Sequence, residues 1–493
     1  MASDALQKAR DFENRYLSFT GQYQPKFHVT GGIGWINDPN GFAMYKGEYH
    51  LFFQYHPYFT KWGPMHWGHV KTKDFIRWER LPAALAPDEE YDRDGCFSGS
   101  AVEMPDGRHL LMYTGVRGVR GEDGTPVDFQ TQCIAVGDGV DYVKYGDNPV
   151  IGADLVPKGY SVNDFRDPKI WREGDVYRVA VACRGVDECG AILLYRSGDA
   201  VHWSFETIAA ASEGTLGRMW ECPDYFHLDG RDVLLVSQQE MPARGLEFHP
   251  GNTSACLIGV PGGSLGRLRQ EFMHAIDYGT DFYAPQTLES ADGRRIMIAW
   301  MQNWDTSSVV PKLPFLGQMT LPRELSVRVG RLCQLPVREL ESYRGGKVSF
   351  TDIPVEGEVR LPGVSGRCLD MTVTVRRGKG MDGVQCFRMY LAAGEKNRTM
   401  LRYRPGSGTI KVDRTHSGFP HDIVNIREFP VRRDISMLKL RIILDRYSLE
   451  LFVNDGEQAA SFILYTPEED ADIYFTCEGS AEIDVEKYEL IIE

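Results

Sequence analysis

Short runs of apolar and aromatic residues, separated by turn signals, make up most of the chain from residue 28 onward. The clearest runs lie at residues 49–55, 110–113, 177–181, 233–236 and 296–300. Each follows a pair that ends in glycine, such as Lys46-Gly47 or Asp106-Gly107, and glycine allows the positive φ that a tight hairpin turn needs. Helical periodicity is nearly missing across roughly 300 residues. The pattern therefore predicts an all-β domain.

A weak internal repeat indicates how these strands are arranged. Residues 72–78 and 197–203 both read Ser/Thr-x-Asp-x-x-x-Trp, and each segment follows one apolar run and precedes another. Propellers repeat such turn and aromatic motifs from blade to blade. We interpret the two segments as equivalent turns in successive blades, with a chance similarity of two hairpins as the alternative.

The two ends of the chain differ from this domain. Residues 1–16 have the charged and apolar spacing of a short helix, and we assign residues 1–27 to an N-terminal helical extension. A short helix-compatible stretch ends the strand pattern, so we place the end of the first domain at 335 and a linker at 336–350. Strand alternation then resumes, and residues 351–493 are expected to form a β-sandwich.

Charge and length limit the classes of partner. At 493 residues the chain is long enough for two domains, and its 55 Lys and Arg against 69 Asp and Glu give a net charge of −14. A field of that sign repels nucleic acid and anionic membrane surfaces. No apolar run approaches the roughly 18 residues that a membrane span requires. We expect no nucleic-acid or membrane partner, and a homo-oligomer stays possible.

Cysteine and histidine positions predict neither a disulfide framework nor a metal site. The ten cysteines are scattered without a Cys-x-x-Cys pair, and residues 1–15 lack the apolar segment of a secretory signal. His66 and His69 have a metal-like spacing, but no third ligand lies near them in the sequence. The expectation is a cytoplasmic protein with no metal and no cofactor.

Three acidic residues lie in motifs rich in aromatic and amide residues. These motifs are Trp35-Ile36-Asn37-Asp38-Pro39-Asn40-Gly41, Arg166-Asp167-Pro168 and Trp220-Glu221-Cys222. Such turns are often structural, but carboxylates interleaved with tryptophan and amides are also what a sugar site requires. Two carboxyl groups can then act as nucleophile and acid in glycosidic cleavage. Burial beside Trp220 and Cys222 would favour a proton donor at Glu221.

With these motifs the chain resembles glycoside hydrolase family 32, the β-fructofuranosidases, which include invertases, sucrose-6-phosphate hydrolases, levanases and inulinases. The three acidic motifs of the family occur in order, and the resemblance is strong over about residues 28–340 and looser beyond. Further segments that match the family lie at 52–55, 62–69, 97–101, 281–287, 321–325 and 448–456.

The resemblance implies an all-β architecture, a five-bladed β-propeller at 28–335 with an axial active site, followed by the β-sandwich. It implies a retaining hydrolase that removes terminal non-reducing β-D-fructofuranosyl residues from small sugars, sucrose and short fructo-oligosaccharides, without a metal. Asp38 would be the nucleophile, Glu221 the acid and base, and Asp167 the group that stabilises the transition state. The Asp38 and Glu221 carboxyl groups should then lie roughly 5–5.5 Å apart.

The resemblance also implies residues that bind the sugar. The hydrogen-bonding residues are Asn37, Asn40, Gln54, Ser98 and Arg166. The aromatic walls are Trp62, Phe97 and Trp300, and Tyr283 is expected near Glu221. For Phe97 and Trp300, packing in the core is the alternative role.

One loop departs from the family. Many relatives carry Gly-Trp-x-Gly where this chain has Phe315-Leu316-Gly317, and such loops shape the leaving-group side of the pocket. The preference among sucrose, sucrose 6-phosphate and fructo-oligosaccharides therefore stays open, with Lys61 and Lys312 as candidate phosphate ligands. Two further functions also stay open: a fructosyltransferase that uses the same acids, and a non-catalytic propeller that binds fructan.

Overall fold

The computed structural model describes residues 2–120, 124–263, 265–305, 313–378, 383–419, 424–433 and 436–492. Five sheets of four or five strands lie between residues 34 and 336, and two six-stranded sheets follow. The all-β prediction is confirmed, and the architecture is a five-bladed propeller followed by a β-sandwich.

The N-terminal extension forms helix α1, Asp4–Tyr16, whose first turn is capped by the Ser3 side chain accepting the Leu6 N–H. The buried Glu13 carboxylate accepts the backbone N–H of Ala83 in the outer strand of the first blade, so the helix covers that edge. Short 3₁₀ helices lie at Leu17–Phe19, Gly21–Tyr23, Ala153–Leu155 and Arg338–Tyr343. No helix in the described parts of the chain has the length and apolarity to cross a bilayer.

The propeller blades are antiparallel meanders. Blades 1 and 2 contain β1 (Gly34–Tyr45), β2 (Glu48–His56), β3 (His66–Thr72), β4 (Glu79–Leu85), β5 (Gly95–Glu103), β6 (His109–Arg120), β7 (Pro126–Gly137) and β8 (Tyr142–Lys144). Blades 3 and 4 contain β9 (Tyr160–Glu173), β10 (Val176–Gly185), β11 (Gly190–Ser197), β12 (Trp203–Ala211), β13 (Met219–Leu228), β14 (Arg231–Met241), β15 (Gly251–Gly259) and β16 (Gln270–Ala275).

The fifth blade closes the ring. It contains β17 (Tyr283–Glu289), β18 (Arg295–Trp300), β20 (Arg323–Arg328) and β21 (Arg331–Pro336), while β19 (Phe315–Leu316) pairs in parallel with β1. The first strands of the five blades contact one another in the cyclic order β1, β5, β9, β13, β17 and back to β1. These five strands therefore surround the propeller axis.

The repeat seen in the sequence is also a structural repeat. The Thr72 hydroxyl and the Asp74 carboxylate accept backbone N–H groups of the turn between β3 and β4, and Ser197 and Asp199 do the same between β11 and β12. The two copies lie in blades 1 and 3 rather than in successive blades. Blade 2 keeps only the aspartate, Asp138, which accepts two N–H groups of its turn.

The second domain consists of two stacked six-stranded sheets. Its strands are β22 (Arg344–Val355), β23 (Glu358–Val359), β24 (Leu369–Arg377), β25 (Val384–Ala393), β26 (Arg398–Arg404), β27 (Thr409–His416), β28 (Ile426–Pro430), β29 (Met437–Asp445), β30 (Ser448–Val453), β31 (Gln458–Ile463), β32 (Asp472–Gly479) and β33 (Ala481–Leu490). Strand β22 begins inside the predicted linker 336–350. Glycines 345 and 346 interrupt the alternation in the sequence, but they lie at a bulge within the strand.

The two domains share a continuous interior. Apolar side chains from both pack into common clusters. A buried network of charges crosses the same interface, with His28 and Arg323 on the propeller side and Asp445 and Glu450 on the sandwich side.

Candidate active site

Every innermost strand of the propeller contains a β-bulge. The shifts in strand register fall at 36–39 in β1, 97–99 in β5, 166–169 in β9, 221–224 in β13 and 283–286 in β17. Four of these segments contain a proline, at Pro39, Pro168, Pro223 and Pro285. Proline lacks the N–H that a sheet ladder requires, and a bulge is one of the few places in a sheet that accepts it.

The bulges determine which side chains reach the axis. A bulge sets two residues against one on the neighbouring strand and re-aims the side chains there. Two consecutive residues can then face the same side, as the pairs Asn37-Asp38, Phe97-Ser98 and Arg166-Asp167 do in one axial cavity of about 530 Å³. The predicted site residues that line this cavity are Asn37, Asp38, Gln54, Trp62, Phe97, Ser98, Arg166, Asp167 and Glu221.

Asp38 accepts hydrogen bonds at one oxygen only. The Ser98 hydroxyl donates to Oδ2 at 2.6 Å, and the Cys222 thiol lies 3.5 Å from the same oxygen. No described residue donates a hydrogen bond to Oδ1. Burial and the nearby Glu221 carboxylate raise the pKa of Asp38 to about 6, although the Ser98 hydrogen bond lowers it. At neutral pH Asp38 is therefore mostly ionised, with one oxygen uncommitted.

Glu221 is held at both oxygens. Arg166 donates from Nε at 3.0 Å and from Nη2 at 2.9 Å to Oε1. Gln239 Nε2 at 2.9 Å and the Tyr283 hydroxyl at 2.7 Å donate to Oε2. These donors come from β9, β14 and β17, so three blades together fix the orientation of this carboxyl group.

Asp167 lies at the bulge of β9 with a φ of 63°. A non-glycine residue there costs on the order of 1–3 kcal/mol and persists only where its surroundings hold it. Its backbone N–H donates to the Thr114 hydroxyl at 2.9 Å, and its Oδ2 accepts the Cys222 N–H at 3.0 Å. Burial and the Glu221 carboxylate raise the pKa of Asp167 above its usual range, although Arg166 opposes the shift.

Three predicted binding residues lie behind the cavity wall. The fully buried Asn40 accepts the Gly99 N–H at 3.3 Å and so joins blades 1 and 2. Tyr283 is also fully buried and reaches the site only through its hydroxyl on Glu221. Trp300 packs edge-to-face with Trp35 at 5.9 Å between ring centroids, without exposure, so this tryptophan is a core residue and not a wall of the cavity.

Two further expectations are not met by the geometry. Trp220 does not border Glu221: successive strand residues point to opposite faces, and its indole N–H donates to the Leu216 carbonyl inside the apolar core. Lys61 is exposed and does not line the cavity, and Lys312 lies outside the described residues.

Several residues of the cavity wall, most of them polar, lie outside the predicted set of site residues. The additional lining residues are Val127, Asp128, Gln130, Ser161, Asn163, Asp164, Arg184, Gln239 and Trp304. Asp164 shares a strand with Arg166 two residues away, so strand alternation was a signal for it. Arg184 and Gln239 come from β10 and β14, whose register against the innermost strands no sequence motif reveals.

The described residues contain no group of three histidine, cysteine or acidic side chains placed to hold a metal ion. His66 Nδ1 lies 3.0 Å from the Pro64 carbonyl oxygen, whereas His69 Nε2 lies 2.9 Å from His50 Nδ1. The two histidines of the metal-like spacing thus take part in separate contacts.

The fold and the site together define a class of protein. Five carboxyl groups, among them the three predicted acids, line one cavity at the axis of a propeller together with amides, two arginines and tryptophans. Carboxyl pairs of this kind act on glycosidic bonds, and the polar and aromatic wall suits a sugar. The class is a propeller glycosidase.

Comparison with known proteins identifies the family. Residues 28–336 match the glycosyl hydrolases family 32 N-terminal domain, and residues 339–490 match the family 32 C terminal domain. The chain is 37% identical to raffinose invertase of Escherichia coli over 457 residues, covering 90% of each protein. It is 35% identical to sucrose-6-phosphate hydrolase of Escherichia coli over 466 residues, covering 92% of this chain and 91% of the relative.

A solved structure agrees with these matches. A variant of the Bombyx mori GH32 β-fructofuranosidase in complex with sucrose superposes with a TM-score of 0.84 at 31% identity, covering 100% of this chain and 99% of its own. The chain belongs to glycoside hydrolase family 32, and it is a β-fructofuranosidase. The resemblance drawn from the three acidic motifs is confirmed.

Proposed function

We propose that this enzyme removes the terminal fructosyl residue of sucrose and short fructo-oligosaccharides, with retention of configuration. The observation that carries the proposal is the contrast between two carboxyl groups in one cavity. Asp38 has an oxygen that accepts no hydrogen bond from a described residue, whereas both oxygens of Glu221 are held by donors. An uncommitted carboxylate oxygen suits a nucleophile, and a fixed carboxyl group suits a proton carrier.

The proposed reaction has two steps. Asp38 Oδ1 attacks the anomeric C2, the bond from C2 to the glycosidic oxygen breaks, and Glu221 gives its proton to the departing oxygen. Glu221 then takes a proton from water, whose oxygen attacks C2 and releases Asp38. Ser98 and Cys222 contact only Oδ2, so they can orient Asp38 without blocking the attacking oxygen.

Asp167 is proposed to hold fructose hydroxyls and to stabilise the positive charge that develops at the anomeric centre. Its Oδ2 accepts the Cys222 N–H, and both residues lie at positive φ in adjacent blades. The role is supported by the Cys222 thiol, which lies 3.5 Å from Asp38 Oδ2 and 3.6 Å from Asp167 Oδ2. The expected 5–5.5 Å between the carboxyl groups of Asp38 and Glu221 remains part of the proposal.

The charge of the cavity wall supports a neutral sugar. The described lining carries five carboxyl groups and two arginines, a formal balance of 2 − 5 = −3. Arg166 is paired with Glu221 and Asp164, and Arg184 is paired with Asp164, so both arginines already have carboxylate partners. A phosphate would add negative charge to this wall. We therefore propose sucrose over sucrose 6-phosphate, the substrate in the name of one relative.

A cytoplasmic location is also part of the proposal. It is supported by the ten cysteines, none of which forms a disulfide in the structure. Unpaired thiols of this number suit a reducing compartment. A homo-oligomer stays a prediction from the sequence.

A substrate panel tests the function. We expect kcat/KM for sucrose and kestose to exceed that for sucrose 6-phosphate by at least about tenfold, since one repelled charge is worth about 1–2 kcal/mol at a partly exposed site. NMR of the first product should show β-fructofuranose before mutarotation. Inversion would contradict the mechanism, dominant kestose-type products at high sucrose would indicate a transferase, and no fructose release between pH 5 and 8 would leave a binding protein.

A further inference from the structure

We propose that Asp164 and Arg184 are positioning residues that orient Arg166 and control how much of its charge reaches Glu221. The inference rests on the proposed role of Glu221 as acid and base. It assigns a role to two cavity residues that lie outside the three acidic motifs.

The residues form a chain of alternating charges that leads from the site to solvent. Arg166 donates to Glu221 Oε1 and, from Nη1, to Asp164 Oδ1 at 3.0 Å. Arg184 Nη2 donates to Asp164 Oδ2, and its Nη1 donates to Glu188 Oε2 at 2.7 Å. Side-chain exposure rises along the chain, from 10% at Arg166 and 20% at Asp164 to 34% at Arg184 and 56% at Glu188. The inner links are therefore the ones that solvent screens least.

This arrangement addresses a conflict in the chemistry of Glu221. A guanidinium bound to a carboxyl group favours its ionised form, but a general acid must carry its proton. Arg166 divides its donors: Nε and Nη2 donate to Glu221, whereas Nη1 donates to Asp164 and, at 3.4 Å, to Gln130 Oε1. Asp164 thus offsets part of the positive charge next to Glu221. Arg184 donates to the other oxygen of Asp164 and in turn offsets part of the negative charge of that carboxylate.

Other charged and titratable groups also face this part of the site. They are Asp38 from β1, Asp128 from β7, Asp167 from β9, Cys222 from β13 and Tyr283 from β17. All of them stay unchanged in variants of Asp164 and Arg184. The pKa of Asp128, however, also depends on Asp164 and Arg166, so the NMR signal assigned to Glu221 is needed beside the rate profile to separate the charge chain from Asp128.

The test is the pH dependence of kcat/KM for sucrose, which reports on the free enzyme. Asp164→Asn leaves the full charge of Arg166 on Glu221, so the alkaline limb should move to lower pH by about 0.5–1 unit. Arg184→Gln removes a positive charge and should move the same limb to higher pH by a smaller amount. Arg184→Lys keeps the charge and should restore the wild-type limb.

Glu188→Gln is the matched control, because it alters only the exposed end of the charge chain. The alkaline limb of its kcat/KM profile should stay at the wild-type pH. The proposal would be overturned if the alkaline limb does not move in Asp164→Asn and Arg184→Gln, or if it moves in the same direction in both. This holds even if both variants lose activity. ¹³C NMR titration of the glutamate carboxyl groups, with the Glu221 signal assigned by Glu221→Gln, should show the same opposite shifts without requiring turnover. Failure of the proposed function would instead appear as wild-type enzyme that releases no fructose.

Discussion

Replacing His28 by glutamine removes a buried cation from the interface between the two domains. His28 Nδ1 lies 2.9 Å from Asp445 Oδ2, and Nε2 lies 2.9 Å from Glu450 Oε1, with all three side chains fully buried. Burial opposes a charge on the ring, but the hydrogen bonds to Asp445 and Glu450 outweigh it and raise the pKa of His28 to about 9. The imidazolium therefore persists at neutral pH.

The pKa shift sets the size of the effect. A rise from 6.5 to about 9 corresponds to about 3 kcal/mol of unfolding free energy, at about 1.4 kcal/mol per unit. Because the folded pKa lies above the unfolded one, this contribution is complete below pH 6.5 and is lost as the pH rises through about 9. His28→Gln leaves two buried carboxylates without their shared cation, so we expect a loss of about 3–5 kcal/mol at pH 6.

Urea unfolding followed by tryptophan fluorescence and circular dichroism at pH 6.0, 7.5 and 9.5 measures this contribution. Between pH 6.0 and 9.5, the free energy of unfolding of the wild type should fall by about 3 kcal/mol more than that of His28→Gln. His202→Gln is the control, because it changes an exposed histidine that also contacts an aspartate, and it should stay within about 0.5 kcal/mol of the wild type. Equal losses with rising pH in the wild type and His28→Gln would refute the reasoning.

Three predictions concern the active site. Asp38→Asn removes the proposed nucleophile and should lower kcat for sucrose by about 10³-fold or more, and a wild-type kcat would contradict the assignment. Protonated Asp38 cannot attack, so kcat/KM should fall as the pH drops through about 6. Ser98→Ala removes a hydrogen bond that lowers this pKa and should move the acid limb to higher pH, whereas an unmoved limb would argue against Asp38 as its source. Trp62→Ala should cost about 1–3 kcal/mol, chiefly through KM, because half of this side chain is exposed at the cavity wall. Phe205→Ala, equally aromatic but outside this cavity, should leave KM unchanged.

The acids could be found in the sequence because local chemistry marks them. Asp38 and Asp167 each precede a proline, and the bulge that accepts the proline is also the feature that turns the carboxylate toward the axis. The same logic extends to Cys222-Pro223 and Ala284-Pro285, which makes a proline at the bulge a second repeat, present in four of the five innermost strands. Aligning these prolines would have placed Tyr283 beside the site without any knowledge of its contacts.

Other features depend on pairings that no local motif encodes. Arg184 reaches Asp164 because β10 pairs with β9, and Gln239 reaches Glu221 because β14 pairs with β13. Trp220 is adjacent to Glu221 in the sequence but not in space, because neighbouring strand residues face opposite sides of the sheet. Trp300 is buried because the last blade packs on the first, a contact made only when the ring closes.

The sandwich contributes none of the described residues that line the cavity, but it helps to close the propeller ring around it. Glu450, in β30, accepts hydrogen bonds from both ends of the propeller: from His28 Nε2 at 2.9 Å, from the Leu321 N–H at 2.7 Å and from Arg323 Nε at 3.0 Å. His28 precedes β1 of the first blade, whereas Leu321 and Arg323 lie at the last blade. The hydrogen bonds to Glu450 therefore connect the two ends of the propeller ring. Strand β1 carries Asp38 ten residues after His28. A carboxylate of the sandwich that holds the first and last blades together therefore also holds the strand of the proposed nucleophile.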